Sequence, residues 1–231
     1  MKFGKRIPEA VAASTSLCKA EDWMDYKMLK KSLKKLLLLN KQNPNQNITI
    51  NKAERFFFQK IKEEMQKVEC CFQRLENSLM EKIIPFTKIY KQFEYEKVAK
   101  CLAFVHMKLL LLESYAVINY CGFTKILKKH DKRTGFQTRE KFIFNIVNSK
   151  NFAAPERVSK MLQIFSSAFE RLKISTGNVP EDLFQKRNIL EKLDIKTEPP
   201  HKKMKIGRPK KDLNPLHTLL KAVELGMKSI P

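Results

Sequence analysis

The stretch FEYEKVAKCLAFVHMKLLLLESYAVINYCGFTKILKKHDK, residues 93–132, decides the fold class. Val98, Leu102, Val105, Leu109, Leu112, Ala116 and Tyr120 recur along it at steps that keep them on one face of an α-helix. No proline interrupts it, and Gly135 follows its basic end, where a left-handed residue commonly closes a helix. A helix this long buries its apolar face only against partners of similar length.

Those partners lie upstream. Phe57, Ile61, Met65, Val68, Phe72, Leu75 and Leu79 have the same period and predict a second long helix from about residue 51. Asn51 reads as its N-cap, with Glu54 three residues on completing a capping box, and Pro85 is expected to end or kink it. Before it, Leu29, Leu33, Leu36 and Leu37 form the stripe of a helix predicted over 21–39, and the Asn/Gln/Pro stretch 40–47 reads as a surface loop. Downstream, shorter helices are predicted over 138–148, capped by Thr138, and over 155–172, with Pro155 in its first turn. Only six glycines occur, and no strand pattern competes. The fold class is all-α, an elongated helical bundle over residues 1–173. Residues 174–231 read as a basic, largely disordered tail. Within it, a short C-terminal helix is expected from Asn214 and Pro215 through Leu216, Leu219, Leu220 and Val223 to Gly226.

Charge narrows the function. The chain carries a formal net charge of +22. Residues 1–173 hold 34 Lys/Arg against 17 Asp/Glu, a net of +17, and residues 174–231 hold 12 against 7, a net of +5. The excess therefore belongs mainly to the folded part. A polyanionic partner is expected: nucleic acid, an acidic membrane surface, polyphosphate or a small phosphorylated ligand.

Other classes lose support. Cys18, Cys70, Cys71, Cys101 and Cys121 are odd in number and form no CxxC pair, so they read as buried free thiols in a reducing compartment, with neither disulfide framework nor metal site. The N-terminus lacks an apolar secretion core, and the leucine runs at 36–39 and 109–112 are too short to cross a bilayer. The reading is an intracellular protein with no membrane span. His106, His130, His201 and His217 are dispersed, with no catalytic, metal-ligand or Gly-rich phosphate spacing, so neither an enzyme nor a bound cofactor is expected.

Two basic groupings stand out. Lys125, Lys128, Lys129 and Lys132 lie at i, i+3, i+4 and i+7, projecting four ammonium groups from one helix face with only Asp131 nearby to relieve them. Tyr26 and Lys30 stand four apart beside the leucine stripe, and Lys34 continues the row. Each alone reads more readily as a solvated face than as a phosphate contact.

Together with the opening MKFGK, residues 1–5, the segments DYKMLKKSLK (25–34) and KILKKHDK (125–132) occur in an order that resembles the SPX domain family. GFQTR (135–139) and the helix predicted over 155–172 are similar to that family's closing helices. The resemblance covers residues 1–173; residues 10–20 and Trp23 depart from the usual pattern. It implies an N-terminal helical hairpin packed on two long antiparallel helices, with shorter closing helices. It also implies a site for inositol hexakisphosphate or an inositol pyrophosphate made by Lys2, Tyr26, Lys30, Lys125, Lys128, Lys129 and Lys132. The function so implied is a non-enzymatic sensor in phosphate homeostasis and phosphate-starvation signalling, acting through a protein partner such as a MYB-type transcription factor. The alternatives are an adaptor or accessory subunit of a phosphate-handling complex, and a nucleic-acid-binding regulator using the tail.

The tail segment HKKMKIGRPKK, residues 201–211, places Lys202, Lys203, Lys205, Arg208, Lys210 and Lys211 around a Gly-Arg-Pro core. It suits a nuclear import signal, an extended contact to a DNA minor groove (with Ile206 where an arginine is usual) or a solubilising linker. The expected location is nucleus, cytoplasm or both.

Overall fold

In the computed structural model the described residues are 3–42, 52–89, 95–154, 156, 158–163, 165 and 167. Lys2, Asn51, Pro155, the boundary at 173, the basic run 202–211 and the expected C-terminal helix lie outside them. Helix α1 spans Phe3–Ala13, α2 Tyr26–Gln42, α3 Lys52–Ile89, α4 Tyr95–Thr134 and α5 Arg139–Phe142. Tighter and wider turns complete the chain at Ala20–Asp22, Ile143–Val147 and Asn151–Ala153. Among the described residues there is no strand.

The chain forms two compact units, one from Met1–Glu76 with Leu111–Arg157, the other from Asn77–Leu110 with the described residues from Val158 onward. In the first, α3 and α4 run antiparallel. Glu54 meets His130, and fourteen residues later on α3 the Val68 carbonyl accepts from Tyr115, fifteen residues earlier on α4. At about 1.5 Å per residue the two paths match. The apolar stripes supply the core. Leu29, Leu33 and Leu36 of α2, Phe57, Ile61, Met65, Val68 and Phe72 of α3, and Leu112, Ala116, Phe123 and Leu127 of α4 are all buried. In the second unit Leu79, Leu102, Val105, Leu109, Val158, Met161, Leu162 and Phe165 are buried.

The segment entering α2 is pinned rather than helical. The helix expected from residue 21 starts at Tyr26, because the backbone at Trp23 is extended. Asp25 caps α2, accepting from the Met28 amide at 2.8 Å. Asn119 accepts from the Met24 amide at 3.0 Å, and the Tyr115 hydroxyl donates to the Asp22 carbonyl at 2.9 Å. Trp23 lies edge-on to Tyr115, ring centroids 4.8 Å apart, and is buried. Gly122 makes room for this turn. A Cβ there would lie 2.4 Å from the Met24 sulfur.

Several expectations are corrected. α3 continues past Pro85 to Ile89, since one missing backbone bond does not end a helix held by a long packed face. Glu54, expected to complete a capping box with Asn51, directs a carboxylate oxygen to His130 at 2.9 Å. Thr138 precedes α5 without a side-chain cap, because its hydroxyl donates to Asp131 at 2.6 Å instead. Of the five thiols only Cys71 is fully buried, while Cys70 is exposed and the others are intermediate. Gly135 does close α4 in the left-handed region, at φ +80°, its amide donating to the Asp131 carbonyl at 2.9 Å. By length and composition Lys100–Thr134 could cross a bilayer, but 56% of its apolar window is buried inside the protein, as a core helix requires.

Candidate functional site

The leucine stripe of α2 turns inward and leaves its lysines at the border. Lys27, Lys30, Lys31 and Lys34 line a depression of about 290 Å³ together with Lys129 and Arg133 from the end of α4. Leu33 and Leu37 supply its apolar part. Six cationic side chains share this space, and among the described residues no carboxylate lines it. Lysine suits such a place as a compact charge with three donors, and Arg133 adds a planar fork for bidentate contacts.

The other predicted site residues fall differently. Tyr26 is partly buried at the start of α2, with Phe3 of α1 edge-on at 5.2 Å between centroids. Lys30 Nζ lies 5.5 Å from the Tyr26 ring centroid. The backbone of Gly4 passes close by, so that a Cβ there would sit 3.5 Å from Lys30 Nζ and 3.7 Å from the Tyr26 ring. Burial raises the pKa of the Tyr26 phenol, which keeps it a hydrogen-bond donor. Lys30 and Lys129 thus meet in the depression. Lys125, Lys128 and Lys132 are exposed and are not among its lining residues.

Sequence reasoning missed Lys27, Lys31 and Arg133. The signal was present: Lys27, Lys30, Lys31 and Lys34 repeat the i, i+3, i+4, i+7 spacing of Lys125, Lys128, Lys129 and Lys132.

It also missed what holds the α4 row in place. His130 is fully buried between two carboxylates, with Nε2 2.9 Å from Glu54 and Nδ1 3.0 Å from Asp131. Its ring stacks on Phe57 at 5.2 Å and 8° between planes. Asp131 does not relieve the lysines, as expected from sequence, but turns inward to accept from Thr138 Oγ1 and from the Arg139 amide at 2.8 Å. Burial alone would lower the His130 pKa, but hydrogen bonds and charge from Glu54 and Asp131 outweigh it and raise the value. For Asp131, burial pushes upward and is overcome by the bonds from Thr138, Arg139 and His130, so its pKa is lowered. The result is an imidazole held between two carboxyl groups, fastening the last turns of α4 to the start of α3. Lys129 and Arg133 stand on either side of it in sequence.

Comparisons with known proteins agree with this architecture. The family model for the SPX domain matches residues 87–146. SPX domain-containing protein 1 of Arabidopsis thaliana is 31% identical over 163 residues, covering 64% of this chain and 62% of that protein. SPX domain-containing protein 3 of Oryza sativa subsp. indica is 28% identical over 189 residues, covering 76% of this chain and 66% of that protein. The chain thus spans somewhat less than two thirds of the length of these relatives. Its fold is similar to that of the SPX domain of Chaetomium thermophilum glycerophosphodiester phosphodiesterase 1, solved in complex with inositol hexakisphosphate. The TM-score is 0.63 at 23% identity, covering 74% of this chain and 99% of that one. In sequence and fold alike, the chain is similar to SPX domain proteins.

Proposed function

We propose that the chain senses inositol polyphosphates through the depression between α2 and the end of α4, and reports cellular phosphate status to a protein partner. The observation that carries this reading is the convergence of Lys27, Lys30, Lys31, Lys34, Lys129 and Arg133 on one small space that no carboxylate lines among the described residues. Crowding like charges costs energy that a multiply phosphorylated ring relieves at several points at once. A similar fold solved with inositol hexakisphosphate supports the ligand class. The lining side chains are ammonium, guanidinium and leucine, groups that hold a phosphate without supplying a nucleophile or a base. Binding without turnover is the role they suit.

Calorimetry of the full chain with inositol hexakisphosphate tests this. One-to-one binding is expected. Lys30→Ala and Lys129→Ala each remove charged hydrogen bonds worth about 1.5–3 kcal/mol, weakening binding roughly tenfold to a hundredfold with unchanged melting temperature. Variants that bind as the parent does would remove the site from consideration.

A further inference from the structure

A second cluster of reactive side chains lies where the segment joining α1 to α2 crosses α3. The Cys18 and Cys71 sulfurs and an Asp22 carboxylate oxygen lie within 4.8 Å of one another. Both thiols are free. Such a trio could hold a soft metal ion or could be an oxidisable pair, and Arg74 separates the two readings. Its Nη2 lies 3.2 Å from Asp22 Oδ1 and 3.6 Å from Cys71 Sγ. A permanent guanidinium on two of three candidate ligands occupies the lone pairs a metal would need and repels a cation. The same charge favours a thiolate.

We propose that Cys18 and Cys71 form an oxidisable pair that closes to a disulfide on exposure to peroxide, tying the α1–α2 segment to α3. Their proton affinities are already divided. The hydrogen bond with Cys18 pulls the Cys71 thiol down to about 7 against its burial, with help from Tyr115 and Arg74. The same bond, with burial, pushes the Cys18 thiol up. With the Arg74 guanidinium 3.6 Å from its sulfur, Cys71 is the nucleophile and Cys18 the resolving thiol. The Cys71 thiolate attacks one oxygen of hydrogen peroxide and the O–O bond breaks. The sulfur becomes a sulfenic acid, and the released hydroxide takes a proton and leaves as water. Cys18 sulfur then attacks Cys71 sulfur, the S–O bond breaks, and the hydroxyl departs with the Cys18 proton as a second water. Two electrons pass from the sulfurs to the peroxide. Cys71 is 3% exposed, which shields it from bulky reagents. Its neighbour Cys70 is exposed and receives a hydrogen bond from Gln66 at 3.3 Å. The bridge would fix one end of the segment whose other end, α1, lies against Tyr26 and Lys30.

The test uses the full reduced chain, treated with hydrogen peroxide, unfolded, alkylated with iodoacetamide and mapped by mass spectrometry. Three of the five cysteines should be alkylated, and a peptide joining Cys18 to Cys71 should appear. Fluorescence of Trp23, the single tryptophan, which packs on Tyr115, should change with the same time course. Alkylation of all five cysteines, or oxidation of Cys70, Cys101 or Cys121 in place of the pair, would overturn the proposal. So would zinc protection of both thiols that a chelator reverses, which marks a metal site. The parent chain decides each outcome, and Cys18→Ser, where it folds, should leave Cys71 as a trapped sulfenic acid.

Discussion

His130 shows how one side chain can set a surface it does not belong to. Its neighbours are Glu54 and Asp131, with Thr138 Oγ1 at 3.3 Å and the rings of Phe57, Phe58 and Phe136 around it. A histidine whose folded pKa is raised contributes stability that is full below about pH 6.5 and lost as pH rises through the raised value. Asp131, with a lowered pKa, contributes stability that is full above about pH 3.9 and lost as pH falls through its folded value. The cluster is therefore strongest between those limits. Glu54→Gln keeps a polar group but removes the charge, and should cost about 1–3 kcal/mol in denaturant unfolding near pH 6. The His130 titration, followed by NMR, should move to lower pH. An unmoved titration would mean that Glu54 does not govern the imidazole. Gly122 gives a second test at this scale. Ala there drives a methyl into the buried Met24 sulfur, and overpacking should cost about 1–3 kcal/mol by the same measurement. Neither residue was legible in the sequence. Glu54 looked like a helix cap because caps are read from local spacing, whereas its partner is 76 positions away. Gly122 carries no signal until α2's entry turn is laid across it.

At the scale of elements the sequence was far more transparent, because periodicity is a local property that tertiary packing here preserves. The stripes of α2, α3 and α4 are buried almost as read, and Gly135 stops α4 as expected. What periodicity could not supply was rotation. Two rows with identical lysine spacing differ in use: the α2 row lines the depression in full, while of the α4 row only Lys129 does, joined by Arg133 one turn on. The spacing puts each row on one helix face but does not say what that face meets once the helices pack. This sets an order of effects on inositol hexakisphosphate affinity. Lys31→Ala should weaken binding about tenfold or more, as loss of a charged hydrogen bond does. Lys128→Ala, which removes an exposed charge outside the depression, should cost about 0.2–1 kcal/mol, or at most roughly fivefold. Equal losses would mean that the ligand lies across the outer face of α4 instead.

Over the whole molecule the question is whether a net charge of +22 acts as a field or as a site. A field attracts any polyanion in proportion to charge and fades with salt, whereas a site rewards donors that converge. Inorganic phosphate and sulfate should therefore compete poorly with inositol hexakisphosphate even at equal total charge, since neither reaches both α2 and α4. Affinity that simply tracked anionic charge would favour the field. The tail is the sharper case. The run from Lys202 to Lys211 lies outside the described residues, and the sequence beyond 173 carries a net of only +5 against +17 before it. If the depression is the site, the tail adds little to ligand affinity, and its lysines remain available to an import receptor or to DNA. Deleting residues 200–231 should change the affinity for inositol hexakisphosphate by no more than about twofold, or about 0.4 kcal/mol, while reducing nuclear accumulation in cells. A truncated chain that lost the ligand would place the tail over α2 and the end of α4. Sensing and location would then be properties of one surface.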